Sequence, residues 1–294
     1  MHGGAALLNS GALPNMTTRK TLPVALTIAG SDSGGGAGIQ ADLKTFAAFG
    51  VHGTSAIACL TAQNPRRVLA VISCPPGVLR RQIEAVFEEL PPQAVKIGML
   101  FSPQNFRVVA DFFETRLVRR RIPLIVDPVM AATSGQALLA GPARKVLAEK
   151  LLPLATLATP NLDEVGMLLG EKPRSSEEMR LAARELVRRY GCAILVKGGH
   201  LKNSAAIDIF FDGRTELELS APRVPGVRTH GTGCTYSAAI CAALAGGNDL
   251  VTSVRIGKRF ITGAIANSYR IGRHFALGQM GLKPSRRWRA NSGR

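Results

Sequence analysis

The stretch with the clearest chemistry is Thr229, His230, Gly231, Thr232, Gly233, Cys234 and Thr235. The alanine-rich run after it, 236–244, reads as a buried helix, so the stretch is a glycine-rich turn that empties into a helix N-terminus. There the first backbone N–H groups have no intrahelical partner, and the helix dipole adds partial positive charge. Small residues let an anion approach that backbone, which makes the turn a cradle for phosphate. Cys234 lies in the middle of the cradle. A thiol at a helix N-terminus is expected to have a lowered pKa, and so to take a proton or to stay a thiolate. The same residues would also serve as a helix-capping loop with a buried cysteine, and the rest of the chain has to decide.

Other polar groups fall in a positional pattern. An apolar run at 24–29 ends in Gly30, Ser31 and Asp32, and a second at 54–60 runs into Gln63 and Asn64. A strand at 94–98 releases Met99, and one at 124–126 ends in Asp127. A strand at Leu157 leads to Asn161 and Glu164, and one at 193–196 leads to Lys197, Gly198 and Gly199. Taken singly, Asp127-Pro128 is a turn, Asn161 an N-cap and Lys197 a solvated charge. Together they mark the C-terminal edge of a parallel sheet, where open α/β folds bind ligands. The segment 31–38 is glycine-rich but is not a dinucleotide fingerprint, because Ile39 stands where the last glycine belongs. It also lacks the Lys-Ser/Thr of a Walker loop.

The elements that must position these groups alternate strand and helix. The helix after Gly38 puts Ile39, Leu43, Phe46 and Ala47 on one face and stops at Gly50. Further helices are expected at 78–90, 104–119 and 143–152, with another that runs to Tyr190 from a capping box of Ser175 and Glu178. A strand at 68–73 and an antiparallel pair at 206–211 and 216–220 complete the sheet. The fold class is α/β, a doubly wound and mainly parallel sheet flanked by helices. No linker or repeat splits the chain. The expected organisation is a disordered leader at 1–22, one domain at 23–272 and a basic tail at 273–294.

Of the 294 residues 46% are hydrophobic, enough for a sizeable core. Aromatic residues are only 5%, which argues against stacking platforms for single-stranded nucleic acid. Five scattered cysteines without C-x-x-C spacing fit reduced thiols and a cytoplasmic location rather than a disulfide framework or a zinc site. No apolar run approaches a membrane span, and 1–21 lacks the charge order of a signal peptide. The formal charge of +17 is concentrated late: beyond Asp249 there is no acidic residue. Such a field attracts nucleotides, phosphorylated substrates or nucleic acid without choosing among them. A basic surface with a basic tail explains it as well.

The motifs ALTIAGSD at 25–32, GGGAGIQADLK at 34–44, TAQN at 61–64 and KIGML at 96–100 have a joint likeness. With DPVM at 127–130, TPN with Glu164, KGGH at 197–200 and HGTGCT at 230–235, the chain resembles hydroxymethylpyrimidine/phosphomethylpyrimidine kinase, a thiamine-biosynthesis family of the ribokinase-like superfamily. The resemblance spans about 23–266 and departs from the family at both ends. It implies transfer of the γ-phosphoryl of ATP, with Mg²⁺, to 4-amino-5-hydroxymethyl-2-methylpyrimidine and then to its monophosphate. It implies that Gly231, Thr232, Gly233 and Cys234 form the anion hole. Cys234 then stands in for the aspartate base of many relatives. Gln63 reads the aminopyrimidine, with Gly30, Ala37, Asp42, Met99 and Val129 completing that pocket. Asn161 and Glu164 organise Mg²⁺ and its waters, Lys197 neutralises phosphate charge, and Thr229 joins the nucleotide site. A homodimer is also expected.

Two rivals stand beside this reading. One is a pyridoxal kinase of the same superfamily. The other is a ligand- or nucleic-acid-binding protein on a retired kinase fold, suggested by the charge. No helix-turn-helix or RNA-binding motif accompanies it, and Cys234, Lys197, Asn161 and Glu164 are all present.

Overall fold

Apolar runs that lie between helices can bury both faces only inside a layered α/β sheet. The computed structural model describes residues 21–117, 122–130, 141–199, 201, 205–225 and 230–280. In it the runs become β1 (Val24–Asp32), β2 (His52–Asn64), β3 (Arg67–Ser73), β4 (Ala94–Ile97), β5 (Leu124–Val126), β6 (Leu157–Ala158), β7 (Ala193–Lys197), β8 (Ala205–Phe211) and β9 (Glu216–Pro222). They form one sheet in the order β3-β2-β1-β4-β5-β6-β7-β8-β9. Strands β1, β2, β4, β5, β6 and β7 are parallel, whereas β3, β8 and β9 pair antiparallel.

Side chains alternate between two apolar layers. Leu26, Ile28, Leu124 and Val126 face a layer with Leu79, Ile83 and Phe113, from α2 (Pro76–Glu89) and α3 (Pro103–Leu117). Ala25 and Ile125 face the opposite layer. That layer holds Phe46 of α1 (Gly38–Ala48), Tyr236 and Ile240 of α7 (Thr232–Ala245), and Val254 and Ile261 of α8 (Leu250–Ala266). Helix α7 is rich in alanine because it is covered all round: Ala238, Ala239, Ala242 and Ala243 are all buried. Helix α8 has no counterpart among the expected helices, yet it is capped by Asp249, whose carboxylate accepts the Thr252 N–H at 2.8 Å.

Four expectations need correction. The helix at 143–152 begins at Gly141 as α4 (Gly141–Val146). It then loosens into a π-helical turn (Leu147–Leu151) and a short 3₁₀ turn (Leu152–Leu154) at Pro153. In α6 (Ser176–Tyr190), Ser175 accepts the Glu178 N–H at 3.1 Å, but Glu178 turns to the Arg174 N–H at 2.8 Å, so no reciprocal box forms. Ala47 is exposed, off the buried face of α1. The packed chain also runs past 272. A hairpin of β10 (Tyr269–Ile271) and β11 (His274–Ala276) leads to Leu277, which is buried in the core. Beyond it Gln279 is buried between α1 and α7, donating to Thr235 Oγ1 at 2.7 Å, Thr45 Oγ1 at 3.1 Å and the Ala41 carbonyl at 3.2 Å. The leader and the tail from Gly281 lie outside the described residues.

Candidate active site

Because six strands are parallel, Asp32, Gln63, Met99, Asp127, Asn161 and Lys197 lie on one edge of the sheet. Chain order reverses around β1, which lies between β2 and β4; such a switch point opens a crevice at the strand ends. Two glycine-rich loops meet there backbone to backbone. At Gly231, with φ +81°, a Cβ would lie 1.9 Å from the Gly36 carbonyl oxygen. At Gly38, with φ +56°, it would lie 2.3 Å from the Gly30 carbonyl oxygen. Only glycine fits either place.

Helix α7 starts at Thr232, and its first backbone bond runs from the Thr235 N–H to the Gly231 carbonyl at 2.9 Å. The N–H groups of Gly233 and Cys234 precede that bond, as an anion cradle requires. Thr232, Gly233 and Cys234 are all partly exposed. Lys197 Nζ lies next to the cradle: a Cβ on Gly233 would be 3.2 Å from it and 3.6 Å from Asp127 Oδ2. Lys197 is not a freely solvated cation. It bonds Asp127 Oδ1 at 2.7 Å, and Asp127 also accepts from Thr159 Oγ1 at 3.1 Å and Ser237 Oγ at 3.3 Å. Burial would raise the Asp127 carboxyl, but Lys197 and Lys96 outweigh it and hold it below its ordinary value.

The pocket carboxylate expected at Asp42 is sealed inside instead. It is fully buried on α1 and accepts from Lys96 Nζ at 2.8 Å and Thr27 Oγ1 at 2.6 Å, while its Oδ1 has no hydrogen-bond partner. A lysine inside the otherwise apolar run of β4 was the available signal, because buried lysines come paired. Burial pushes the Asp42 carboxyl up despite that pairing.

Cys234 also differs from expectation. Its thiol is pushed up to about 11, first by burial and then by the Asp42 and Asp127 carboxylates. Lys96 and the Gly38 N–H pull the other way without prevailing. Burial of the thiol is the main reason that the lowering by a helix N-terminus is overridden, and the two acidic groups behind the cradle add to it. Part of the residue remains open to solvent, so water offsets some of the burial.

Asn161 and Glu164 form the reciprocal capping box of α5 (Leu162–Leu169). The Glu164 N–H donates to Asn161 Oδ1 at 2.9 Å, and the Asn161 N–H to Glu164 Oε2 at 2.8 Å. Burial lifts the Glu164 carboxyl to about 7, with Lys197 opposing and Asp127 adding to the rise. Asn161 thus proves to be an N-cap, as its type alone allowed. Among the described residues no cluster of three or more His, Cys, Asp or Glu could hold a metal.

The acceptor side is built from other parts. Gly30 and Ala37 are buried, whereas Gln63, Met99 and Val129 are partly exposed. Ser33 Oγ accepts the Gln63 N–H and donates to the Gln63 carbonyl, both at 2.8 Å, which ties β2 to the loop after β1. Asp32, in the sequence no more than the end of a motif, organises that loop. It accepts N–H groups from Gly34 at 2.8 Å, Ala37 at 2.8 Å and Gly36 at 3.1 Å, and it meets His230 Nε2 at 3.3 Å. An aspartate before three glycines carries this Asx-turn signal. Thr229 lies outside the described residues.

A sequence profile described as phosphomethylpyrimidine kinase matches residues 32–278, from Asp32 to the chain that seats Gln279. The chain belongs to the phosphomethylpyrimidine kinase family. A hydroxymethylpyrimidine/phosphomethylpyrimidine kinase of Rhizobium meliloti is 48% identical over 249 residues, 84% of this chain and 92% of that protein. The crystal structure of phosphomethylpyrimidine kinase from Clostridium difficile superposes with a TM-score of 0.73 at 40% identity, covering 83% of this chain and 99% of that one. An ADP complex of Bacillus subtilis pyridoxal kinase superposes with a TM-score of 0.79 at 32% identity, covering 87% and 97%. The phosphomethylpyrimidine kinase family is thus where the motifs placed the chain, and the fold is the ribokinase-like one they implied. No helix of the described residues is long and apolar enough to cross a membrane.

Proposed function

We infer that this chain transfers the γ-phosphoryl of ATP to the hydroxymethyl oxygen of 4-amino-5-hydroxymethyl-2-methylpyrimidine, and then a second phosphoryl to the resulting monophosphate. The observation that carries this reading is the convergence of Lys197 Nζ and the first turn of α7 on Gly233, where a side chain would fill the space between them. Phosphoryl transfer asks a protein mainly for alignment and charge neutralisation, and a cation facing helix N–H groups supplies both. The acceptor alcohol gives its oxygen to phosphorus and loses its proton, while the bond from phosphorus to the β-γ bridging oxygen breaks and ADP leaves.

Gln63, Met99 and Val129 would hold the ring, with Gly30 and Ala37 packed beneath. Cys234 is the titratable group closest in sequence to the anion-hole N–H groups, which fits it for the acceptor proton. Its thiol is protonated at neutral pH in the ligand-free chain, so it must lose that proton before it can act as base. Mg²⁺, when bound, would neutralise charge on the β- and γ-phosphates. The capping oxygens of Asn161 and Glu164 are already engaged, so these residues fit contact through water better than direct ligation.

A homodimer is part of the proposal. Leu60, Ala62, Ala70 and Ile72 are exposed on the paired strands β2 and β3, with Leu60 opposite Ile72 and Ala62 opposite Ala70. Such an apolar face fits a second copy, and Ile72→Glu should shift sedimentation from dimer to monomer. Pyridoxal-type alcohols are the second reading, favoured by the likeness to the Bacillus subtilis pyridoxal kinase. Purified protein with ATP should phosphorylate the hydroxymethylpyrimidine and its monophosphate. Turnover of pyridoxal alone would overturn the first reading.

A further inference from the structure

Three polar side chains from separate elements meet beside the acceptor site: Asp32 at the end of β1, Gln63 near the end of β2 and His230 before α7. His230 Nε2 lies 3.3 Å from Asp32 Oδ2 and 2.9 Å from the Gln63 amide nitrogen. The imidazole is seated over Gly36, where a Cβ would be 3.2 Å from His230 Cδ2. Both neighbours compete for one ring atom, and their requirements differ. An Asp32 carboxylate that takes three backbone N–H bonds can only accept, so it requires hydrogen on Nε2. An amide nitrogen facing the same atom would require a lone pair there. The charged acceptor makes the stronger demand. The two ends of an amide are nearly equal in shape, so Gln63 can satisfy both by turning over.

We propose that Asp32 fixes a hydrogen on His230 Nε2, and that this hydrogen holds the Gln63 carbonyl oxygen, so that the Gln63 NH₂ faces the acceptor ring. His230 is then a positioning residue for Gln63, and the site selects a ring that offers a hydrogen-bond acceptor there. For an aminopyrimidine this is a ring nitrogen rather than the exocyclic amine. The inference rests on the assignment of Gln63 to the acceptor site. Its first part, the place of the proton, stands independently of any substrate.

Long-range ¹H–¹⁵N correlation of the ligand-free protein reads that first part. Hydrogen on Nε2 is expected, and a His230 protonated only on Nδ1 overturns the proposal. Calorimetric binding of the aminopyrimidine and of its 4-deamino analogue to wild type and Gln63→Ala reads the second part. Gln63→Ala should weaken both ligands by a similar factor, roughly 3–10-fold, as for a single hydrogen bond. If the factor vanishes for the deamino analogue, Gln63 reads the amine and the proposal fails. His230→Leu should weaken pyrimidine binding by a like factor. His230→Gln, whose amide N–H stands as many bonds from Cα as the ring Nε2–H, should restore much of it. Equal binding by both variants and wild type would exclude the positioning role. If neither pyrimidine binds, the functional reading falls, while the correlation spectrum still decides the proton.

Discussion

At the scale of single residues, the raised thiol of Cys234 makes the base testable through pH. Below its value of about 11 the thiolate fraction grows tenfold per pH unit. If Cys234 is the base, kcat should rise with pH from 7 towards 10, and Cys234→Ser should lose roughly 10²–10⁴-fold and lack that rise. A Ser variant with near wild-type kcat would move the proton to another group. Cys234→Asp should recover more of the first phosphorylation than of the second, because a fixed carboxylate would face a substrate already carrying phosphate. Glu164 gives a second pH effect with a defined sign. Its folded value of about 7 lies above the ordinary 4.5, so the folded state keeps a proton that the unfolded state has lost. Stability therefore falls as pH rises between about 4.5 and 7. Glu164→Gln, neutral and still able to accept the Asn161 N–H, should flatten the fall of melting temperature across that window. An unchanged slope would assign it to other groups.

Elements decide how closely the two glycine-rich loops approach. Gly231→Ala places a Cβ at 1.9 Å from a backbone oxygen in a left-handed conformation, where the backbone alone costs about 1–2 kcal/mol. The loop must move, and with it the start of α7. We expect kcat to fall at least tenfold with a smaller change in melting temperature, since the helix body stays packed. Gly50→Ala is the control: it has φ +67° but nothing within 4 Å of the added carbon. It should cost comparable backbone strain without loss of kcat. A catalytic loss equal for both would refute the loop-contact argument.

For the whole molecule, the described C-terminal chain is a clasp on α1 and α7. Truncation after Gly272 removes β11, buried Leu277 and the three hydrogen bonds from Gln279. Burial of one leucine contributes about 1.5–3 kcal/mol and each hydrogen bond about 1 kcal/mol. Thermal unfolding should show a loss of at least about 3 kcal/mol, whereas truncation after Met280 should leave the clasp in place. Equal melting of the two would show that the segment only rests on the surface. The family profile runs to residue 278 and so takes in buried Leu277. The charge of +17 is the excess over all acidic groups, so ion pairing within the fold leaves it unchanged. Lys96, Lys197 and Lys258 are buried or nearly so, each against a carboxylate, and Arg180 and Arg184 bond Glu216. These paired side chains cancel one another, and the excess of +17 is carried by the other basic residues.

The sequence by itself determined the α/β class, most strand positions, the shared sheet edge and the family. Each of these depends on local signals: apolar runs with fixed periods, turn glycines and motifs at strand ends. The antiparallel edge of β8 and β9 was legible for the same reason, since alternation is local. What tertiary structure decided depends on neighbours far away in the chain. Asp42 and Lys96 are 54 residues apart, and only their burial together turns an expected pocket carboxylate into a sealed pair. Burial first, and then the same carboxylate with Asp127, reverses the lowering that a helix N-terminus alone would give Cys234. Gln279 meets Ala41 across 238 residues, and no periodicity in a short, polar segment could announce that contact. Helix propensity and motif spacing act within a few residues, whereas dielectric, charge pairing and packing are set by whatever the fold brings alongside.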